Sequence, residues 1–420
     1  MRCILVLLAT LPTVLGAQPA RRDGARVDNG FSTERLRRAH AYVQAQVDSN
    51  RIAGAVGLVL RDGKVVYERA VGWADKEAGR RMTPDAMFRI ASQTKALTSI
   101  AIMILFEEGR IALNNPVSRF IPAYARTTVM VNGQVVPASR QITIRDLLTH
   151  TAGISYGTDS VLGPLYREKG LGPAAGMGWY TADKDEPVCA TMERLATLPF
   201  ARQPGEAWVY GYNTDILGCV VEIASGVPLD EFIRTRITEP LGMKDTYFFV
   251  PEGKRNRLVA VYASDTANRA ARAPDGARGQ GHYVDGPRRN FAGGAGLVST
   301  ARDYARLLQM MLNGGELDGV RILSPQTVAL MTTDQAGTRY SPNGGEGFGL
   351  GFSIVERLGA DDTLLSRGTY GWGGAYGSQY HVDPSQGVVV VFMLNQMPNR
   401  SDVAQKFPTL VYQALMTIRD

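Results

Sequence analysis

Apolar and polar positions alternate in β-type patterns near both ends of the chain and in helix-type patterns between them. From Ala53 to Leu60 apolar residues run almost without a break. Lys64 to Trp73 follows after Arg61-Asp62-Gly63, a turn sequence suited to closing a β-hairpin. Ahead of this pair, Phe31 to Ser49 has apolar residues at helical spacing behind Ser32 or Thr33, either of which can cap a helix. Ala96 to Phe106 is apolar on nearly every face, the mark of a helix buried all round. Ile142 to His150 reads as a short helix begun at Thr143 and stopped by Thr151-Ala152-Gly153. Val188 to Leu198 and Asp215 to Ala224 are further helices, the second ended by Gly226. Thr300 to Leu312 is amphipathic, with Ser299 or Thr300 as its cap. The β pattern returns in Phe348 to Val355, Arg367 to Gly373, Ser378 to Val382 and Val388 to Leu394, and a helix from Asp402 to Ile418 closes the chain.

Three stretches lack clear periodicity. Leu113 to Tyr124 is punctuated by Pro116 and Pro122, and residues 250–290 are polar and rich in Arg and Gly. Ser155 to Glu186 is rich in Gly, Pro, Tyr and Trp, and a patternless stretch of that length is usually either functional or mobile. Trp179 and Tyr180 within it are candidates either for an acyl or alcohol pocket or for simple packing.

These patterns predict an α+β protein: a mainly antiparallel sheet assembled from both ends, flanked by helices, with an all-helical domain inserted. The expected boundaries are 18–95 and 291–420 for an α/β sandwich and 96–290 for a mostly helical domain, with an active site at their junction.

Composition narrows the class. The 420 residues are 45% hydrophobic and 20% charged, which is globular rather than disordered. The net charge of +6 comes from dispersed arginines with no block of like charge, so no nucleic-acid partner is expected. Arg269 to Arg289 is interleaved with Gly, Pro and Ala and reads as a solvated loop. Residues 1–17 read as an export signal: Arg2, an apolar run from Cys3 to Leu15, then the small residues Gly16 and Ala17. The run is too short to span a membrane and no later segment is long enough, so an exported, periplasmic or secreted protein without stable membrane insertion is expected. Beyond the signal lie Cys189 and Cys219, which an oxidising compartment permits either to pair or to remain as two buried thiols. The four histidines are scattered, so neither a metal site nor a cofactor is expected. No pattern speaks to oligomeric state.

Candidate chemistry begins at Ser92-Gln93-Thr94-Lys95, the one serine in the chain followed three positions later by lysine. At a helix start, positions i and i+3 share a face, which sets the Lys95 amine over the Ser92 hydroxyl. The unpaired N–H groups of the first turn favour an anion there. Alone, the tetrapeptide is unremarkable, since roughly one or two would arise by chance in a chain this long. A rival nucleophile is Ser155 in Gly153-Ile154-Ser155-Tyr156-Gly157, which satisfies G-x-S-x-G. That motif needs a strand before the serine and a helix after it, and here a helix precedes and an irregular segment follows. His150 is read as a structural residue of the Thr149–Gly153 turn. Gly293, Gly294 and Gly296 are read as backbone positions in a loop near the cleft, and Phe348 and Phe352 as core.

Further motifs stand in order around Ser92: LLTHTAGIS, PGEAWVYGYNTDILG, GGAGLVSTARDYARLLQMMLNGG and YGWGG. Together with FRIASQTK and IALNNPVSRFIP they resemble the serine β-lactamase and penicillin-binding-protein superfamily from about Arg51 to Asn395. Within it the chain is most similar to the class C β-lactamases and the family VIII carboxylesterases. The resemblance implies that Ser92 forms an acyl-enzyme, that Lys95 is its base or activates it electrostatically, and that Tyr210 passes the proton to the leaving group and then activates water. It also implies an oxyanion hole made by the backbone N–H groups of Ser92 and Ala375. Trp372, Gly373 and Gly374 take the third-motif place, with Tyr212 and Asn213 as further candidate substrate contacts. Two departures bear on the substrate. The lactamases usually carry lysine where Trp372 stands, and an indole offers one N–H donor and no charge. Asn213 is also displaced by one position from the family's Tyr-x-Asn. Both departures match the pattern of the family VIII carboxylesterases, and that resemblance implies hydrolysis of carboxylic esters, with short acyl chains expected, against the alternative of a β-lactamase or D-amino-acid peptidase. A catalytically dead binding or sensor relative is the third reading, disfavoured by intact Ser92, Lys95 and Tyr210.

Overall fold

The computed structural model describes residues 27–171, 184–276, 279–359 and 363–419, so the segment at 1–17 and Trp179 and Tyr180 lie outside the described residues. Eight strands form the main sheet, and every neighbouring pair is antiparallel. β1 (Gly54–Arg61), β2 (Lys64–Asp75) and β3 (Arg80–Arg81) come from the first part of the chain. β4 (Glu346–Phe348), β5 (Ser353–Val355), β6 (Tyr370–Gly373), β7 (Gln379–Asp383) and β8 (Val388–Met393) come from the last. Their order is β4-β5-β6-β7-β8-β1-β2-β3, so the two ends of the sequence meet where β8 pairs with β1, from Val388 opposite Arg61 to Met393 opposite Val56.

β1 shows no polar alternation because both of its faces are covered. Val56, Leu58 and Leu60 enter the larger core, whereas Ala55 and Val59 pack with α1 (Thr33–Asp48) and the final helix. The β1–β2 turn has Asp62 and Gly63 at φ 54° and 74°, the paired positive values of a type I′ hairpin. The stretch expected as one strand from Phe348 to Val355 is two, β4 and β5, reversing over residues 349–352. Leu350 and Phe352 are buried in that reversal, which is why hydropathy alone does not reveal it.

α2 (Thr94–Glu107) is buried from Thr94 through Leu105, as its unbroken apolar pattern requires. Around it stand α3 (Ile144–Leu148), α4 (Val188–Leu195) and α5 (Asn213–Ser225), and α5 packs against all three. α3 is started by a capping box in which Thr143 and Asp146 satisfy each other's backbone donors. α5 ends at Gly226 in a left-handed conformation. Cys189 on α4 and Cys219 on α5 form a disulfide, which decides between the two alternatives left open by the sequence. α6 (Ala301–Leu312), capped by Thr300, covers the inner face of β8 and β1, and α7 (Val403–Gln413) lies beside α1 on the outer face. The first and last helices are shorter than the expected spans: Phe31 and Ser32 belong to a two-residue strand, with Ser32 as the cap of α1, and α7 stops at Gln413. A small sheet of Thr128–Val131, Gln134–Pro137 and Pro199–Phe200 comes from segments the pattern left unassigned. Among the described residues no helix is long and apolar enough to cross a membrane.

Candidate active site

The turn that presents Ser92 is anchored before it begins. Phe88–Arg89 pairs with Val298–Ser299, and the buried side chain of Asn395 brackets Arg89, accepting from its N–H at 3.1 Å and donating to its carbonyl at 3.0 Å. Ile90 N–H then donates to Leu297 O at 3.0 Å. Ala91 has φ 43°, a left-handed conformation that costs a residue with a Cβ about 1–2 kcal/mol. This strained residue turns the chain from the strand into α2 and leaves Ser92 at the helix mouth, with Lys95 on the same face.

Lys95 is 2% exposed. Its Nζ lies 3.2 Å from Ser92 Oγ, 3.0 Å from Tyr156 Oη and 2.8 Å from Gly294 O. An ammonium has three N–H bonds, and here three acceptors receive them. A neutral amine has one lone pair to offer, and only the Ser92 and Tyr156 hydroxyls carry a proton to give it, because Gly294 O is a carbonyl. Proton exchange at Lys95 is therefore restricted by geometry to those two groups.

Tyr210 sits across the cation: Lys95 Nζ is 4.7 Å from its ring centroid. Its hydroxyl accepts a hydrogen bond from Trp372 Nε1 at 3.1 Å. Trp372 is held on β6 opposite Tyr380 of β7, and Tyr210 is positioned by an extended segment in which Val209 N–H donates to His150 O at 2.8 Å. Trp208 stacks on Tyr210 with centroids 5.6 Å apart, and Tyr156 meets it edge-on at 5.6 Å. Ser92, Tyr156, Tyr210, Ala295, Trp372, Gly373 and Ala375 line one open cavity of about 350 Å³. A larger groove of about 840 Å³ between β2 and α6 is lined by no serine, cysteine, lysine or histidine.

The structure thus brings Ser92, Lys95, Tyr210, Trp372, Gly373 and Ala375 together. Gly374 belongs to the same corner but acts through its backbone: a Cβ there would lie 2.5 Å from Ile90 O, so glycine lets the end of β6 close on the turn before Ser92. Two expected substrate contacts are displaced. Tyr212 is 7% exposed and packs behind the wall against Tyr156 and Tyr166. Asn213 is fully buried, and its amide donates to His150 Nδ1 at 2.8 Å, Val209 O at 3.2 Å and Ile154 O at 3.4 Å. It ties three segments together where the sequence suggested a cleft-facing amide. That bond makes Nδ1 of His150 the acceptor, and burial followed by the Lys95 charge holds this imidazole well below its ordinary range. His150 is therefore a neutral, structural ring. Ser155 is no competitor, because its Oγ accepts locally from Gly157 N–H at 3.1 Å and no strand precedes it.

Two residues escaped the sequence. Tyr156 stands in the sequence only as a neighbour of Ser155, yet it is the third group on Lys95. Burial first, then Tyr210, Asp215 and Tyr212, pushes its hydroxyl well above the ordinary tyrosine range, so it remains a proton donor. Asp215 shows in the sequence only as the start of a helix, yet its Oδ1 accepts at 3.1 Å from the N–H of Gly294, the residue whose carbonyl holds Lys95. An aromatic before a turn glycine and an acid in a helix first turn are common, and nothing local marks either as functional. Among the described residues no group of three or more His, Cys, Asp or Glu side chains is placed to hold a metal ion.

Comparison with known proteins agrees with this geometry. The Beta-lactamase family model matches residues 39–414. Esterase EstB of Burkholderia gladioli is 35% identical over 373 residues, covering 85% of this chain and 90% of that protein. Protein Rv1367c of Mycobacterium tuberculosis is 36% identical over 382 residues, covering 86% and 90%. Among solved structures, EstCE1, described as a hydrolase with promiscuous acyltransferase activity, superposes with a TM-score of 0.77 at 28% identity, covering 91% of this chain and 98% of its own. A serine–lysine pair at a helix mouth, in a chain that the Beta-lactamase family model matches over residues 39–414 and that an esterase resembles over 85% of its length, places this chain in the Beta-lactamase family as a serine hydrolase.

Proposed function

We propose that the protein hydrolyses neutral carboxylic esters of short acyl chain through an acyl-enzyme on Ser92. The observation that carries this reading is the 3.2 Å contact between the buried Lys95 Nζ and Ser92 Oγ, opening onto a cavity lined by the uncharged Trp372. A serine hydroxyl becomes a competent nucleophile when a neighbour takes its proton, and Lys95 is that neighbour. As Oγ attacks the ester carbonyl, negative charge builds on the carbonyl oxygen, and the N–H groups of Ser92 and Ala375 receive it. Such donors are worth a few kcal/mol each. Tyr210 gives its proton to the departing alkoxide and then, as phenolate, draws a proton from the water that releases the acid. The phenolate is stabilised by the Trp372 N–H at 3.1 Å and by the nearby Lys95 charge.

Trp372 therefore supplies the hydrogen bond to tyrosine without the positive charge that would hold a substrate carboxylate. This favours neutral esters over the carboxylate-bearing lactams and D-peptides of the alternative reading. We also read the protein as exported, a reading supported by the 1–17 pattern and by the Cys189–Cys219 disulfide, since such bonds persist in oxidising compartments.

The test is turnover of p-nitrophenyl acetate and butyrate beside nitrocefin, with Ser92→Ala and Ser155→Ala. Ester turnover abolished in Ser92→Ala and retained in Ser155→Ala is expected. Activity surviving in Ser92→Ala, or nitrocefin turnover far above ester turnover, would overturn the proposal.

A further inference from the structure

Behind the lysine lies a buried acid that the mechanism above does not use. Asp215 is 5% exposed and sits in the first turn of α5. Its Oδ1 accepts from Gly294 N–H at 3.1 Å, and the carbonyl of the same residue accepts from Lys95 Nζ at 2.8 Å. The carboxylate is packed hard against this residue: a Cβ on Gly294 would lie 2.4 Å from Asp215 Oδ2. Thr98 Oγ1 donates to Gly293 O at 2.8 Å, so both residues of the Gly-Gly segment are fastened, one to α2 and one to α5. Among the described residues Asp215 has no lysine or arginine within ion-pair distance.

We propose that Asp215 is a positioning residue and buried counter-charge for Lys95, acting through Gly294 to hold the amine on Ser92 and to set the pH at which the Ser92–Lys95–Tyr210 group loses its activating proton. This rests on the reading of Ser92 and Lys95 given above.

The physical case has two parts. The first is geometric: by holding the Gly294 N–H, Asp215 fixes in place the residue whose carbonyl takes one Lys95 N–H, and leaves Nζ facing the two hydroxyls. The second is electrostatic. A buried charge is strongly disfavoured unless an opposite charge accompanies it. Burial holds the Asp215 carboxyl above its ordinary range, and the Lys95 cation, then the Gly294 N–H, offsets part of that rise. The titratable groups facing this pair are Tyr156 and His150 from the 150–156 segment, Tyr210 and Tyr212 from the segment before α5, Tyr124, and Lys184 ahead of α4. Burial pushes the Tyr124 and Tyr156 hydroxyls well up and holds the His150 imidazole well down, so these three carry no charge. Asp215 is thus the charge that bears on Lys95 from behind, and Lys184 bears in turn on Asp215.

The sign follows. A negative Asp215 favours the state in which Lys95 is protonated and Tyr210 neutral, and so raises the pH needed to remove the activating proton. Removing that charge lowers it. In Asp215→Asn, kcat/KM for p-nitrophenyl butyrate should fall in amplitude, and its acid limb should move down by roughly one pH unit, the scale of one neighbouring charge. A purely structural role would lower melting temperature and amplitude and leave the limb where it was, and that result would overturn the proposal. Ser92→Ala is assayed alongside: activity surviving there defeats the reading of the site, whereas an unmoved limb with Ser92→Ala inactive defeats only the role of Asp215. Should Asp215→Asn be unfolded or too slow to profile, infrared spectra of Lys95→Met and wild type decide. Loss of the cation should make Asp215 take up a proton, giving a protonated-carboxyl band in Lys95→Met that wild type lacks. The same band in both, or in neither, refutes the counter-charge.

Discussion

Replacing Trp372 with phenylalanine removes one N–H and little else from the cleft. The indole donates to Tyr210 Oη at 3.1 Å, while its ring packs among Trp208, Phe348 and Tyr210 at centroid distances of 6.3, 5.4 and 5.5 Å. Phenylalanine keeps the apolar contact and deletes the donor. If Tyr210 carries negative charge only during turnover, the bond is strongest in the transition state, and its loss appears in kcat more than in KM. A hydrogen bond to a charged partner is worth about 1.5–3 kcal/mol. At 1.36 kcal/mol per tenfold, that is roughly a 10- to 150-fold drop in kcat/KM. Trp372 is only partly buried, so the volume change should cost about 1 kcal/mol of stability or less, and a melting curve separates that effect from the catalytic one. The assay is steady-state hydrolysis of p-nitrophenyl butyrate with kcat and KM resolved. A Trp372→Phe enzyme within twofold of wild type in kcat would refute the assignment of Trp372 as the tyrosine's donor. Trp372→Lys returns a donor together with a charge, and should raise turnover of nitrocefin relative to the neutral ester.

Three further outcomes are expected. Asn213→Ala should lower the melting temperature by several degrees, since its amide bonds to the 150, 154 and 209 positions are each worth about 1 kcal/mol; an unchanged melting temperature with a raised KM would restore it to the substrate site. The disulfide closes a loop with a sequence separation of 30, so Cys189→Ala with Cys219→Ala should lose about 3–4 kcal/mol in urea unfolding, and an unshifted midpoint would deny it a stabilising role. Because burial keeps His150 neutral in the fold, the unfolded chain binds a proton that the folded chain refuses as pH falls below about 6.5. This increment of stability is complete above that pH and should decline by about 1.4 kcal/mol per unit below it. His150→Gln should flatten the dependence of melting temperature between about pH 6.5 and 5, and an equal slope in both proteins would count against it.

What the amino-acid order determines by itself is what residues a few positions apart settle between them. The type I′ turn at Asp62-Gly63, the Thr143–Asp146 capping box, the Thr300 cap, the burial of α2 and the pairing of Ser92 with Lys95 all depend on neighbours within about four residues, where spacing alone fixes direction. The resemblance carried by the motifs added Tyr210, Trp372 and Ala375, because family spacing encodes contacts that local chemistry does not. The tertiary structure decided the rest. Tyr156 reaches Lys95 across 61 residues, Trp372 reaches Tyr210 across 162 and Gly294 reaches Lys95 across 199. No periodicity records which hydroxyl, carbonyl or indole will arrive at such a meeting point. The same holds for Asn213 and Tyr212, whose one-position offset was visible but whose burial depended on the side of Tyr210 on which α5 begins. A buried amine must find all its partners, and only packing in three dimensions chooses them. That is why the shared face of Ser92 and Lys95 follows from four letters, whereas Tyr156 and Asp215 enter the site only through the tertiary structure.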